Sequence, residues 1–204
     1  MKEPPKKFLE RLQALGIPSP PHFLMVRVAD QKMTLFVDRE AKATHPVSTA
    51  RKGVGQKSDS YQTPLGLHRI KQKIGRDAPL GAIFSNREPT GKAWSPDSNM
   101  ERGTGNTKGR TPGPEPPQHA SLSVPDLVTS RILWLEGLEP GFNAGTDPEG
   151  DVVDSYQRYI YIHGTNHEDE IGKAVSRGCV RMNNSEIIAL FDMVEEGDLV
   201  WIQE

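Results

Sequence analysis

At 204 residues and a formal net charge of −2, with 25 Lys plus Arg against 27 Asp plus Glu, the chain has room for one domain with an appendage and no more. The balanced charge and the lack of a long basic run exclude a protein that tracks nucleic-acid phosphates. No stretch approaches the roughly 18 consecutive apolar residues of a membrane span, and a single cysteine, Cys179, excludes an intrachain disulfide.

In chain order, Phe8, Leu9, Leu12 and Leu15 recur at helical spacing, and Gly16, Pro18, Pro20 and Pro21 stop the pattern. This predicts a short helical extension over residues 1–21 that docks on a main domain over 22–204. The opening run MKEPPKKFLERLQALGIPSPP lacks the apolar core and small-residue cleavage site of a secretory signal. Two readings follow: a cytoplasmic protein, or an exported one whose leader is not in this chain. His22 to Val28 and Met33 to Val37 predict a hairpin turned at Ala29-Asp30-Gln31, with Ala43 to Thr49 as a third strand. Thr63-Pro64-Leu65-Gly66 reads as a turn, and Leu67 to Ile74 alternates apolar and basic residues as a half-exposed strand would.

From about Arg87 to Ser123 the composition shifts to Pro, Gly, Asn, Thr and charge, which predicts a long loop insertion acting as a lid or left disordered. Order returns with a strand at Ser130 to Glu136 and turns over Gly137 to Gly150. Arg158 to His163 reads as a central strand with Ile160 and Ile162 on one face, Tyr159 and Tyr161 on the other, and His163 at its end. Asn184 to Glu195 carries a helical apolar stripe with Ser185 as N-cap, and Gly197-Asp198 turns into a last strand, Leu199 to Ile202.

The chemistry-bearing residues gather in the last third. Cys179 follows Gly178 and lies between Arg177 and Arg181, an electropositive setting expected to lower the thiol pKa. His163 follows a strand and Cys179 precedes a helix, so both fall at one end of a sheet, where His163 could act as base. The Gly164 carbonyl could fix its tautomer, and the N–H groups of Arg177, Gly178 and Cys179 could face an oxyanion. Taken singly, the same residues read as a buried cysteine and a surface histidine. His163 and His167, with Glu168 and Asp169 following, would suit a metal only on a helix, which Gly164-Thr165-Asn166 disfavours. His68 reads as a rim residue, and Lys71, Lys73 and Arg76 as a solvated strand face. Trp94, Trp134 and Trp201 read as packing, with Trp94 a candidate glycan or peptide contact.

His163-Gly164-Thr165 followed by Ser176-Arg177-Gly178-Cys179-Val180-Arg181-Met182 resembles the signature of the L,D-transpeptidase (YkuD) family. The hairpin VRVADQKMTLFV, the stretch VSTARKGVGQKSDSYQTPLGLHRI and the final GDLVWI extend the resemblance to roughly residues 22 to 203. It implies a mainly β, sandwich-like barrel with a short N-terminal helix and one helix after the catalytic Cys. Cys179 would be the nucleophile, His163 the base and Gly164 the carbonyl that orients it. Arg177, Gly178 and Ser176 would form or support the oxyanion hole. Arg181 would organise the loop or meet a substrate carboxylate, with Thr165 also on the substrate side. Arg177 departs from the second His found in many members.

The implied reaction is attack on peptidoglycan stem tetrapeptides with release of D-Ala, then transfer to an amine or to water, with no metal or cofactor. The implied partners are stem peptides only, the chain is expected to be a monomer, and the implied location is the periplasm or cell envelope. A hydrolase of the same fold, a non-catalytic wall-binding domain and a cytoplasmic thiol sensor are the alternatives.

Overall fold

The computed structural model describes residues 3–96 and 125–204. Strand β1 (His22–Arg27) is apolar at consecutive positions because both of its faces are covered. Leu24 and Val26 enter the main core, while Phe23 and Met25 pack under helix α1 (Lys6–Ala14) through Phe8 and Leu12. Phe8 stacks on Phe23 at 4.4 Å, and Arg11 pairs with the buried carboxylate of Glu139.

The remaining strands are β2 (Lys32–Val37), β3 (Glu40–Pro46), β4 (Gly66–Ile74), β5 (Ala82–Ser85), β6 (Glu88–Ala93), β7 (Val128–Gly137), β8 (Tyr161–Thr165), β9 (Val180–Met182) and β10 (Leu199–Gln203). They form one sheet in the order β3-β2-β1-β10-β4-β7-β5-β6, with β8 branching from β7 and β9 from β8. β1–β10 and β8–β9 pair in parallel and the other pairs are antiparallel. The sheet folds over a core of Leu24, Leu35, Ile70, Leu133, Ile162 and Val200, closed by Ile187, Leu190 and Phe191 of helix α2 (Asn184–Met193). This is the expected mainly β, sandwich-like architecture, with a short N-terminal helix and one helix after Cys179.

Several local expectations change. β3 runs from Glu40 to Pro46 and not Ala43 to Thr49, because Asp38 and Arg39, left-handed at φ 49° and 66°, turn the chain tightly enough to pair Val37 with Glu40. The segment taken as the start of a loop, from Arg87, is the second half of the β5–β6 hairpin. β6 is exposed at all six positions, so it carries no apolar period to read. The rest of the expected insertion, from 97 to 123, lies outside the described residues. β8 begins only at Tyr161, because Tyr159 sits in the left-handed region at φ 57° and the chain turns there. His163 is therefore mid-strand and not at a strand end. Helix α2 is capped at Asn183 and not Ser185, and the Glu168 carboxylate accepts the N–H of Asn184 at 2.7 Å.

Lys73 is not on a solvated face: its side chain is 4% exposed, donates to Val194 O and lies over the Phe191 ring. His68 is not on a rim but fully buried, donating Nδ1–H to Gly66 O at 3.1 Å and accepting at Nε2 from Ser155 Oγ at 2.9 Å. Burial lowers its pKa to about 4 from 6.5, with the Gly66 bond opposing and the Arg158 charge adding to the drop. The folded state thus resists protonation, so this contribution to stability is full above about pH 6.5 and is lost as pH falls toward 4. The expected loss is on the order of 3 kcal/mol. Urea unfolding at pH 4 and 7 should show a drop of that size in the wild type beyond any drop in His68→Gln; parallel pH curves would refute it.

Candidate active site

Two parallel strands place His163 and Cys179. In β8, Ile162 points into the core, so Tyr161 and His163 face the other way. The β8–β9 register sets Ile162 beside Val180 and His163 beside Arg181, which brings Cys179 level with Tyr161 on the His163 face. The thiol is partly exposed. It lies 3.4 Å from the Tyr161 N–H, which donates to it, and 3.4 Å from Tyr159 O, which accepts from it.

His163 is 3% exposed and donates Nδ1–H to Gly164 O at 2.7 Å. That bond leaves Nε2 as the acceptor on the ring. A Cβ on residue 164 would lie 2.5 Å from Asn184 Oδ1 and 2.7 Å from Thr129 O, so only glycine fits there.

The segments flagged around residues 47–66 hold the nucleophile loop. Ser48 and Arg181 exchange backbone hydrogen bonds at 2.9 Å, Ser176 N–H donates to Thr49 O at 2.8 Å, and Arg51 N–H to Ser176 O at 3.0 Å. Thr63 Oγ1 donates to Gly178 O and accepts the Ala50 N–H, both at 2.9 Å. Thr63 thus works as a brace on the loop and not as part of a simple turn. Ser176 Oγ donates to Cys179 O at 2.6 Å and accepts the Gly178 N–H at 3.2 Å. The Gly178 N–H is therefore occupied, which leaves those of Arg177 and Cys179 for an oxyanion.

Three sequence expectations are corrected here. The thiol is not activated by surrounding cations: burial pushes it up to about 11, the Tyr161 N–H opposes, Asp126 adds to the rise, and Arg181 and Arg158 only partly offset it. Burial also lowers the His163 pKa, against the Gly164 bond. Arg181 is 4% exposed and paired through Nη2 with Asp126, so its guanidinium is enclosed and not open to an incoming carboxylate, while its Nε has no partner among the described residues. Thr165 is fully buried, accepting the His167 N–H at Oγ1 and the Asn184 amide at its carbonyl, and does not face a substrate. Arg177 is exposed beside a cleft it shares with Asp59, Tyr61 and Arg158.

Two site residues have no signal in the sequence. Asn184 Oδ1 accepts from Thr129 Oγ1 at 2.6 Å and Ser130 Oγ at 2.5 Å, and its amide donates to Thr165 O and Glu168. It ties α2 to β7 and β8 directly behind Gly164. Ser130 stands at φ 61° in a bulge of β7, which turns its hydroxyl to Asn184. Arg158 donates to the carbonyls of Gly55, Gln56 and Gln62 and fixes the loop beside the thiol. Trp134 and Trp201 serve as packing: Trp134 stacks on Tyr156 at 4.0 Å and Trp201 meets Phe8 edge-on.

A family model described as the L,D-transpeptidase catalytic domain, YkuD, matches residues 21–202. A Bacillus subtilis relative that carries an L,D-transpeptidase name, YqjB, is 49% identical over 71 residues, 34% of this chain and 40% of that protein. The "Probable L,D-transpeptidase ErfK/SrfK" of Salmonella typhimurium is 40% identical over 88 residues, 42% of this chain and 28% of its own. The matched segments thus span well under half the length of these curated relatives. Among solved structures, an L,D-transpeptidase from Mycobacterium smegmatis aligns over 90% of this chain and 59% of its own, at TM-score 0.48 and 16% identity. One from Xylanimonas cellulosilytica covers 98% of this chain and 70% of its own, at TM-score 0.48 and 12% identity.

Proposed function

The chain belongs to the L,D-transpeptidase (YkuD) catalytic-domain family, and from that premise we propose that it is a peptidoglycan L,D-transpeptidase working through a thioester on Cys179 at the cell envelope. The observation that carries this reading is the His163 Nδ1–H bond to Gly164 O at 2.7 Å, which leaves Nε2 as a base on the face that holds the thiol. Nε2 takes the thiol proton as sulfur bonds to the carbonyl carbon before the terminal D-residue of a stem tetrapeptide. The oxyanion is held by the Arg177 and Cys179 N–H groups. When the C–N bond breaks, His163 returns the proton to the departing amine and D-Ala leaves. An acceptor amine then loses a proton to His163, attacks the thioester and frees the thiol.

The test is product and intact-protein mass spectrometry of the wild type with a disaccharide-tetrapeptide, with and without a free D-amino acid. Loss of D-Ala together with D-amino-acid exchange and a thioester adduct is the expected result. Cleavage with no exchange would assign a hydrolase, and an unchanged substrate would overturn the reading.

A further inference from the structure

We propose that Arg87 is the anchor for the terminal carboxylate of the donor peptide, an inference that rests on the transpeptidase reading. Of the two arginines in the Ser176–Met182 segment, Arg181 is buried and ion-paired with Asp126, and Arg177 lines a cleft that also holds Asp59, so recognition of a charged peptide end calls for a further cation. Arg87 has no carboxylate partner among the described residues. Its guanidinium lies 4.7 Å over the Trp134 ring and 5.0 Å over the Tyr159 ring, and Nη1 is 3.4 Å from the Tyr161 hydroxyl. These contacts hold a planar fork in place before a ligand arrives, which suits two-pronged recognition of a carboxylate.

The position is a costly one for arginine. Asn86 and Arg87 form the two-residue turn between β5 and β6, where Ser85 pairs with Glu88, and both are left-handed, at φ 48° and 71°. Glycine is the favoured second residue of such a turn. An arginine there keeps a strained backbone and gains a fixed side chain.

The cleft it overlooks, about 360 Å³ in volume, is lined by Phe84, Arg87, Ile132, Tyr159 and Tyr161, and the backbones of the last two contact Sγ. Ile132 is also the cross-strand neighbour of His163. A second cleft, beside Arg177, also contains Asp59 and Arg158, and the Arg158 guanidinium is already engaged by the carbonyls of Gly55, Gln56 and Gln62.

Binding tests this without turnover. A stem tetrapeptide with a free terminal carboxylate and its terminal carboxamide are titrated calorimetrically into the Cys179→Ala chain, with and without Arg87→Gln or Arg87→Lys. The acid should bind about tenfold more tightly than the amide, Arg87→Gln should erase that preference, and Arg87→Lys should restore part of it. If Arg87 only supports the aromatic wall, both peptides weaken together and the preference survives, which overturns the proposal; so does no preference, or no binding, before Arg87 is changed. Wild-type D-Ala release without an Arg87-dependent preference discards the anchor and keeps the reaction. An Arg87-dependent preference with no release keeps the anchor and discards the reaction.

Discussion

Cys179→Ala is expected to abolish thioester formation and lower D-Ala release by at least about 10⁴-fold, while leaving thermal stability within about 0.5 kcal/mol of wild type. The thiol is partly exposed at the edge of its cluster, and the bond from Ser176 Oγ goes to the backbone carbonyl of residue 179, which alanine keeps. Circular dichroism melts and mass spectrometry on the same preparation separate the two effects. Turnover retained in the variant would mean that the reaction does not pass through sulfur.

His163→Ala should cost about 10²–10⁴-fold in acylation at pH 7. Burial holds the thiol high, at about 11, and the imidazole below its ordinary range, so the resting pair at neutral pH is thiol and neutral imidazole and not an ion pair. A raised thiol pKa leaves little thiolate at pH 7, and that fraction grows about tenfold per pH unit until pH nears 11. Iodoacetamide alkylation of the wild type should therefore climb steadily from pH 7 to 10. Acylation by the wild type should reach its plateau below neutral pH, where His163 loses its proton, whereas in His163→Ala it should track thiolate alone. An alkylation plateau with a midpoint below pH 7 would show a preformed thiolate and refute this account.

The placement of His163 and Cys179 on one face could be read from sequence because two short motifs sit on adjacent segments of strand. His163 and Cys179 lie on chain segments that pair directly, so the register alone brings them to one face. The first hairpin, β4 and the last strand were equally legible, since β4 alternates apolar and basic residues and the others are dense runs of β-forming apolar residues between turns. Burial was not legible. Lys73, His68, Thr165 and Arg181 are polar residues that sequence places at the surface and the fold encloses, each with a hydrogen-bond partner at least 19 residues away in the chain. For the same reason the expected sign of the thiol shift was reversed: counting nearby arginines does not measure desolvation. Asn184, Arg158 and Arg87 act across 19 to 103 residues of sequence, and no spacing rule marks them.

The place of β10 has a consequence for biosynthesis. This strand follows every other in the chain yet sits between β1 and β4, and it is the seam that joins the β3-β2-β1 meander to the half of the sheet bearing His163. Until it emerges from the ribosome, the two halves share no edge, and the pocket for Val200 and Ile202 in the core stays open. Closing that seam brings together partners nearly the whole chain apart, a slow kind of contact to form. A nascent chain that stops short of Leu199 has Cys179 and His163 already synthesised but no completed core to align them.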